Sequence, residues 1–395
     1  MNTNELKHCF DEEIDRRLVP ALKTHPIVLG KNGEDLFAAG VADMDFKAPA
    51  PVLTAMQQRL EHGVFGYEAL PDGLMPALMA WLRNRHGWDV DEEKILRAPN
   101  VLNSLAISAS LFAGEGDGVI VQPPVFFDFY DVVKENKRAL VSNPLILNAG
   151  HYEIDFDGLE RIASEPQNKM LFLCNPHNPV GRVWTREELI RLGNICQRSG
   201  VFVIADEIHG DITFPDNKYT PFASLGPEYA DNSVTLISPA KSFNIAGCCS
   251  AFTIISNPDK RKLFQAENSR LTVNKNNAFA SVAMEAAYKH GEPWLDAVIE
   301  YLSDNLNLVR TKLVDAPNVN LIEPEGTFLV WLDFRKMNLS VDELTAFLRG
   351  RAGWAVTRGR AFGEEGKGFA RLNIACVKAR LEPALNQLVS AARSL

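Results

Sequence analysis

The chain has 395 residues, 46% of them hydrophobic, which is enough to bury a large core and to expect more than one domain. Its formal net charge of −9 excludes attraction of the whole molecule to nucleic acid or to an anionic membrane, so an anionic ligand needs a local device. Charged residues are mixed along the chain, and no low-complexity tract predicts disorder.

The opening stretch, MNTNELKHCFDEEIDRRL, lacks a basic region followed by an apolar one, so no secretory signal is expected. The apolar runs have strand length and are too short to span a bilayer. Cys9, Cys174, Cys196, Cys248, Cys249 and Cys376 are scattered, with no Cys-x-x-Cys pair. They predict neither a zinc site nor a disulfide framework, but reduced thiols in a cytoplasm.

Segment 1–45 carries no repeat and is expected to pack on a small C-terminal domain. A large domain is expected over 46–290. In it, runs rich in Val, Ile, Leu and Phe at 118–122, 170–174, 201–205, 233–237 and 251–255 read as strands. They are continuously apolar rather than alternating, which predicts a mostly parallel sheet covered on both faces by helices. An apolar helix is expected at 105–112, after Pro99-Asn100-Val101-Leu102-Asn103-Ser104. Thr185 and Glu188 form a capping-box pattern that opens another. Gly114-Glu-Gly-Asp-Gly reads as a turn, because its acids would repel phosphate. An Ala-rich helix is expected at 276–289 and a long one at 296–313. The pattern then changes to strand at 327–333, helix at 341–348, strand at 369–376 and a closing helix, a smaller α/β domain over 291–395.

Ligands of open parallel sheets sit beyond the carboxyl ends of the strands. Three polar motifs fall there: Asn175-Pro-His-Asn-Pro-Val-Gly after Cys174, Asp206-Glu-Ile-His-Gly-Asp after Ala205, and Ser238-Pro-Ala-Lys-Ser-Phe-Asn after Ile237. Lys241 alone would read as a solvated charge. Its place after a buried strand, before the uncharged stretch 242–250, instead predicts a desolvated amine suited to imine formation and proton transfer.

Asp206 reads as a cap, a structural ion pair, or the partner of a protonated pyridine nitrogen. With Glu207, His209 and Asp211 it matches no known metal spacing, and no metal is expected. Asn178 is turn chemistry or a rigid amide donor to a cofactor oxygen. The helix start at Asn100–Ser104 offers free backbone N–H groups to a phosphate. Phe126 and Phe127 read as one core aromatic and one that stacks on a flat ring. Arg371, alone in an apolar strand, wants either a structural carboxylate or a substrate carboxylate held by two parallel hydrogen bonds.

These motifs resemble fold-type I pyridoxal 5′-phosphate (PLP) enzymes of the class I/II aminotransferase superfamily. More narrowly they resemble the bacterial cystathionine β-lyase (C–S lyase) group. The resemblance runs from Val41-Ala-Asp-Met-Asp-Phe46 to Arg371-Leu-Asn-Ile-Ala-Cys376. Between lie Glu61-His-Gly-Val-Phe-Gly-Tyr67, Cys174-Asn-Pro-His-Asn-Pro-Val-Gly, Asp206-Glu-Ile-His209, Lys241-Ser-Phe-Asn-Ile-Ala-Gly247 and Pro324-Glu-Gly-Thr-Phe-Leu-Val-Trp. It implies an α/β fold with a mostly parallel seven-stranded sheet and a smaller α/β domain.

It also implies roles. Lys241 is the Schiff-base lysine and general base, and Asp206 pairs with the pyridine nitrogen. Asn178 and His209 lie near the ring hydroxyl, and Phe126 stacks on the ring. Val101, Leu102 and Ser238 hold the phosphate. Tyr67 serves the neighbouring subunit of a homodimer, and Ala42 and Arg371 meet the amino-acid substrate. The activity implied is α,β-elimination from cystathionine or another cysteine S-conjugate, with transamination as the alternative. The sequence departs from the group at Gly40 (usually Trp), Phe126-Phe127 (Tyr-Tyr), Ala240 (Ser), Cys249-Ser250-Ala251 (Gln-Thr-Ser), and Asn100 and Asn103 (Gly and Pro). These changes spare the cofactor site and alter the substrate pocket.

Overall fold

The computed structural model describes residues 9–395, so the first eight residues of the expected segment 1–45 lie outside the described residues. The large sheet has seven strands: β1 (Ile95–Ala98), β2 (Gly118–Val121), β3 (Ala139–Ser142), β4 (Asn168–Cys174), β5 (Phe202–Asp206), β6 (Ser233–Ile237) and β7 (Ala251–Ile254). Their order is β1-β7-β6-β5-β4-β2-β3. All neighbours pair in parallel except β7, which is antiparallel to both β1 and β6.

The continuous apolar runs are explained by burial on both faces. In β4 and β5, Leu171, Leu173, Val203 and Ala205 face one apolar cluster with Leu189, Leu192 and Ile195 of helix Arg186–Arg198. Their neighbours Met170, Phe172, Phe202 and Ile204 face the other cluster, with Leu105 and Ala109 of helix Val101–Phe112. The period of two along each strand thus feeds two separate helical layers.

Two strands escaped the apolar pattern. β3 is an edge strand with exposed residues, and β1 is interrupted by Arg97. The strand expected at 201–205 is shifted by one, because Asp206 still pairs across the ladder with Cys174 and Leu236. The long helix begins earlier than expected, at Glu292, with Pro293 in its first turn. The helix expected at 341–348 ends at Ala346 and widens into a π-turn over Phe347–Arg351.

The C-terminal part builds a second sheet from β8 (Asn320–Ile322), β9 (Leu329–Asp333), β10 (Thr357–Arg358) and β11 (Phe369–Asn373), in the order β8-β9-β11-β10, all antiparallel. Phe37–Ala38 pairs in parallel with Trp354–Ala355. Phe10 packs against Phe46, Trp294 and Tyr301. No helix of the described residues is long and apolar enough to cross a membrane.

Candidate active site

A cavity of about 370 Å³ lies at the C-terminal ends of β4, β5 and β6, where Cys174, Asp206 and Ser238 line it. Val101 and Leu102 form a second wall, and Asn178, His209 and Phe126 enter from the loops after β4, β5 and β2. Lys241 lies three residues beyond Ser238, in the single helical turn Pro239–Ser242 that Ser238 caps. Ala42 closes the cavity from the N-terminal segment.

Lys241 Nζ donates to the carbonyl oxygen of Ala42 at 2.6 Å. Burial pulls this amine down to about 8. The Arg371 charge acts in the same direction, against Asp43, Asp206 and Asp128. Asp206 is 4% exposed and accepts one bond, from the Ile208 N–H at 3.2 Å. Burial pushes its carboxyl up to about 7, opposed by that bond and by the Lys241 charge. A buried carboxylate with so little compensation is prepared for a cation.

The segment carrying Ala42 is clasped from three sides. Asn373 Nδ2 donates to the carbonyls of Val41 and Asp43 at 2.7 and 2.6 Å. Asn244, in the left-handed region at φ 54°, donates to Met44 and Phe46 and accepts from the Met44 N–H. Lys23, 2% exposed, bonds Asp43 O and Asp45 Oδ1.

At the opposite end, Asn100 caps helix Val101–Phe112 by accepting from the Asn103 N–H at 2.8 Å. That leaves the Val101 and Leu102 N–H groups at the cavity wall as free helix-start donors, an anion seat in an acidic protein. Ser238 Oγ is nearby in the wall, held by the Ser250 carbonyl at 2.6 Å.

Arg371 is 2% exposed on β11, opposite Trp331 and Thr357. It donates to Asn178 Oδ1 at 2.9 Å and to the Gly40 carbonyl at 2.8 Å, and its guanidinium lies over Phe362. No carboxylate of the described residues pairs with it, so the structural-carboxylate alternative fails, and burial lowers its pKa. The same bond engages the Asn178 amide oxygen and leaves its NH₂ without an acceptor among the described residues, at a residue that lines the cavity.

Phe126 lines the cavity, whereas Phe127, which packs on Phe126 and Phe362, does not. His209 is 3% exposed, edge-on to Phe328, and burial drives its pKa well below the usual value. Glu207 instead accepts from Tyr219 and from the Phe222 N–H, and Asp211 from Trp81 and Ser242. The acidic run after β5 therefore diverges into separate networks. Tyr67 is fully exposed and lines no part of this cavity within its own chain. Sequence reasoning missed Asp128 in the wall; it marked Gly40, Cys249 and Ser250 only as departures that alter the pocket, not that the latter two line it or that the Gly40 carbonyl accepts from Arg371. The signal at Asp128 was a charge directly after two aromatics.

Three buried atoms of the site lack a partner: His209 Nδ1, Ser250 Oγ and Arg371 Nε. Free helix-start donors, a buried acid, a fixed amide and a desolvated lysine are the donor set that a phosphorylated pyridine aldehyde requires. The residues fit PLP, and the fold and site define a fold-type I PLP enzyme.

Known proteins agree. The aminotransferase class I and II family matches residues 38–388. Cystathionine β-lyase PatB of Bacillus subtilis is 41% identical over 388 residues, covering 97% of this chain and 99% of the relative. The structure of cystalysin from Treponema denticola, which contains PLP, aligns with a TM-score of 0.92 at 31% identity over 98% of both chains. The PLP-bound C–S lyase from Staphylococcus hominis aligns with a TM-score of 0.88 at 32% identity over 97% of both. The chain belongs to the aminotransferase class I and II family and, within it, to the PLP-dependent carbon–sulfur lyases.

Proposed function

We propose that this enzyme cleaves the Cβ–S bond of L-cystathionine and related cysteine S-conjugates by α,β-elimination, giving thiol, pyruvate and ammonia. The full-length likeness to a cystathionine β-lyase carries the reading. Bound PLP supplies a sink for the electrons released at the substrate Cα. The chain's residues do the rest. Lys241 is the covalent anchor of the cofactor. Once freed, Nζ takes the Cα proton, and burial helps by lowering the pKa of that amine to about 8, so that a substantial fraction is neutral near pH 8. Asp206 holds the ring nitrogen protonated. Of the residues that line the cavity, Asn178 and His209 would meet the ring oxygen, Phe126 would stack on the ring, and Val101, Leu102 and Ser238 would hold the phosphate. Arg371 grips the substrate carboxylate beside the Ala42 strap, and its missing counter-ion supports that role.

The enzyme acts as a cytoplasmic homodimer in this reading. Tyr67, Phe65 and Val64 are exposed in a stretch without regular structure, and Leu60 and Leu53 are exposed on the preceding helix. A partner copy would cover them and receive Tyr67. Transamination would use the same lysine, aspartate and arginine, so the acceptor decides. L-cystathionine alone should yield pyruvate and thiol. Turnover that strictly requires 2-oxoglutarate as acceptor would replace the lyase by an aminotransferase.

A further inference from the structure

We propose that Asp128 is a specificity-determining residue whose carboxylate receives an ammonium group on the sulfur substituent of the substrate. The inference rests on the elimination reading for what the substituent is, but its geometry stands apart from it. Asp128 lines the same cavity as Lys241 and Phe126. It is the first residue of helix Asp128–Glu135, a place where acids are common because the helix start is positive. Such acids ordinarily face solvent. This one faces a cavity, is only partly exposed, and makes no hydrogen bond or ion pair with a described residue.

The charges in the cavity wall, and that of Arg371 behind Asn178, can be assigned by elimination. Arg371 is left for the substrate carboxylate and Asp206 for the ring nitrogen. Lys241, whose charge reaches Asp128, is consumed as the cofactor anchor. Asp128 then remains as an anion with no cation, beside a like charge at Asp131 and in a wall dominated by apolar groups. A partly desolvated carboxylate there rejects an anionic substituent and rewards a cationic one. Cystathionine carries both an amine and a carboxylate at its far end, whereas S-(2-aminoethyl)-L-cysteine carries an amine alone and isolates the cationic contact.

The test compares the PLP-loaded wild type with Asp128→Asn and Asp128→Ser. Initial rates of thiol release are measured on S-(2-aminoethyl)-L-cysteine, its neutral analogue S-propyl-L-cysteine, and S-carboxymethyl-L-cysteine. Wild type should favour the amine over the neutral analogue in kcat/KM by about tenfold, the scale of one charge-assisted hydrogen bond. Both variants should lose that preference, read as the ratio of kcat/KM on the amine to kcat/KM on the neutral analogue. A second readout needs no turnover at carbon–sulfur bonds: calorimetric binding of L-lysine against L-norleucine. Lysine should bind the wild type about tenfold more tightly, and the variants should not distinguish the pair. Equal losses on all three substrates, or no lysine preference in the wild type, would overturn the assignment. A lysine preference that depends on Asp128 without any thiol release would leave it standing and sink the elimination reading instead.

Discussion

Arg371 on β11 donates from Nη1 to Oδ1 of Asn178 at 2.9 Å, across 193 residues of sequence. The bond ties the small sheet to the loop after β4 and settles both side chains at once. It occupies the amide oxygen of a residue that lines the cavity and holds a buried guanidinium that no carboxylate of the described residues pairs with.

Arg371→Lys therefore should not rescue function. Lysine lacks the planar fork and cannot reach Asn178 and the Gly40 carbonyl while offering two parallel donors. The expected loss is about 100-fold or more in kcat/KM for any α-amino acid substrate, with the cofactor retained. Steady-state kinetics with an absorbance check on the cofactor decides it. A loss under about threefold would return Arg371 to a structural role.

Lys241→Ala should remove the borohydride-reducible link to PLP while the fold persists. Activity should fall by about a thousandfold or more, since anchor and base are lost together. Mass spectrometry of borohydride-treated wild type should find the pyridoxyl group on Lys241. Its appearance on another lysine would refute the assignment.

Asp206→Asn should change the pH dependence of stability in the cofactor-free protein. The folded carboxyl sits near 7 against an ordinary 3.8, so between these values the folded state binds the extra proton. Stability then falls as pH rises through that window, and the loss is complete above about 7. Asn carries no charge, so the variant's profile should lack this component and exceed the wild type at pH 8. Thermal unfolding across pH 4 to about 8 reads the difference. Parallel profiles would mean Asp206 is not desolvated.

Asn244→Ala should loosen the strap over Lys241. It deletes two donors and one acceptor to segment 44–46 and places alanine at φ 54°. A destabilisation of about 2–4 kcal/mol is expected, read by urea unfolding. Asn244→Gly, free of backbone strain, should lose less. If both variants equal the wild type, the strap does not depend on this clasp.

Tyr67 can be tested by complementation. Tyr67→Ala and Lys241→Ala subunits, unfolded and refolded together, should form hybrid dimers with one intact site. Activity should then reappear above either parent. Silence of the mixture, with dimers confirmed by sedimentation, would place Tyr67 in its own subunit's site or in none.

Much of the fold was legible because burial on both faces leaves a simple mark. β4, β5, β6 and β7 are mostly apolar and buried on both faces, with Thr235 and Thr253 as polar residues inside β6 and β7, and their bounds fell within two residues of the expected ones. The capping box at Thr185 and Glu188 forms as read. β1 and β3 were not legible, since Arg97 breaks one and solvent faces the other. The motifs after β4, β5 and β6 carried most of the site, because a parallel sheet delivers its strand ends to one edge.

The sequence by itself determined the chemical inventory: a lysine, an aspartate and a proline-braced asparagine at three strand ends, and an arginine in an apolar strand. Tertiary structure alone decided how these groups are poised. Lys241 meets the Ala42 carbonyl, Arg371 bonds Asn178, and Asp128 enters the cavity rather than solvent. The reason is physical. Residue type and local pattern fix which groups are charged and which strands are buried. Desolvation and hydrogen-bond direction depend on partners some two hundred residues away, which only the packed chain brings within 3 Å.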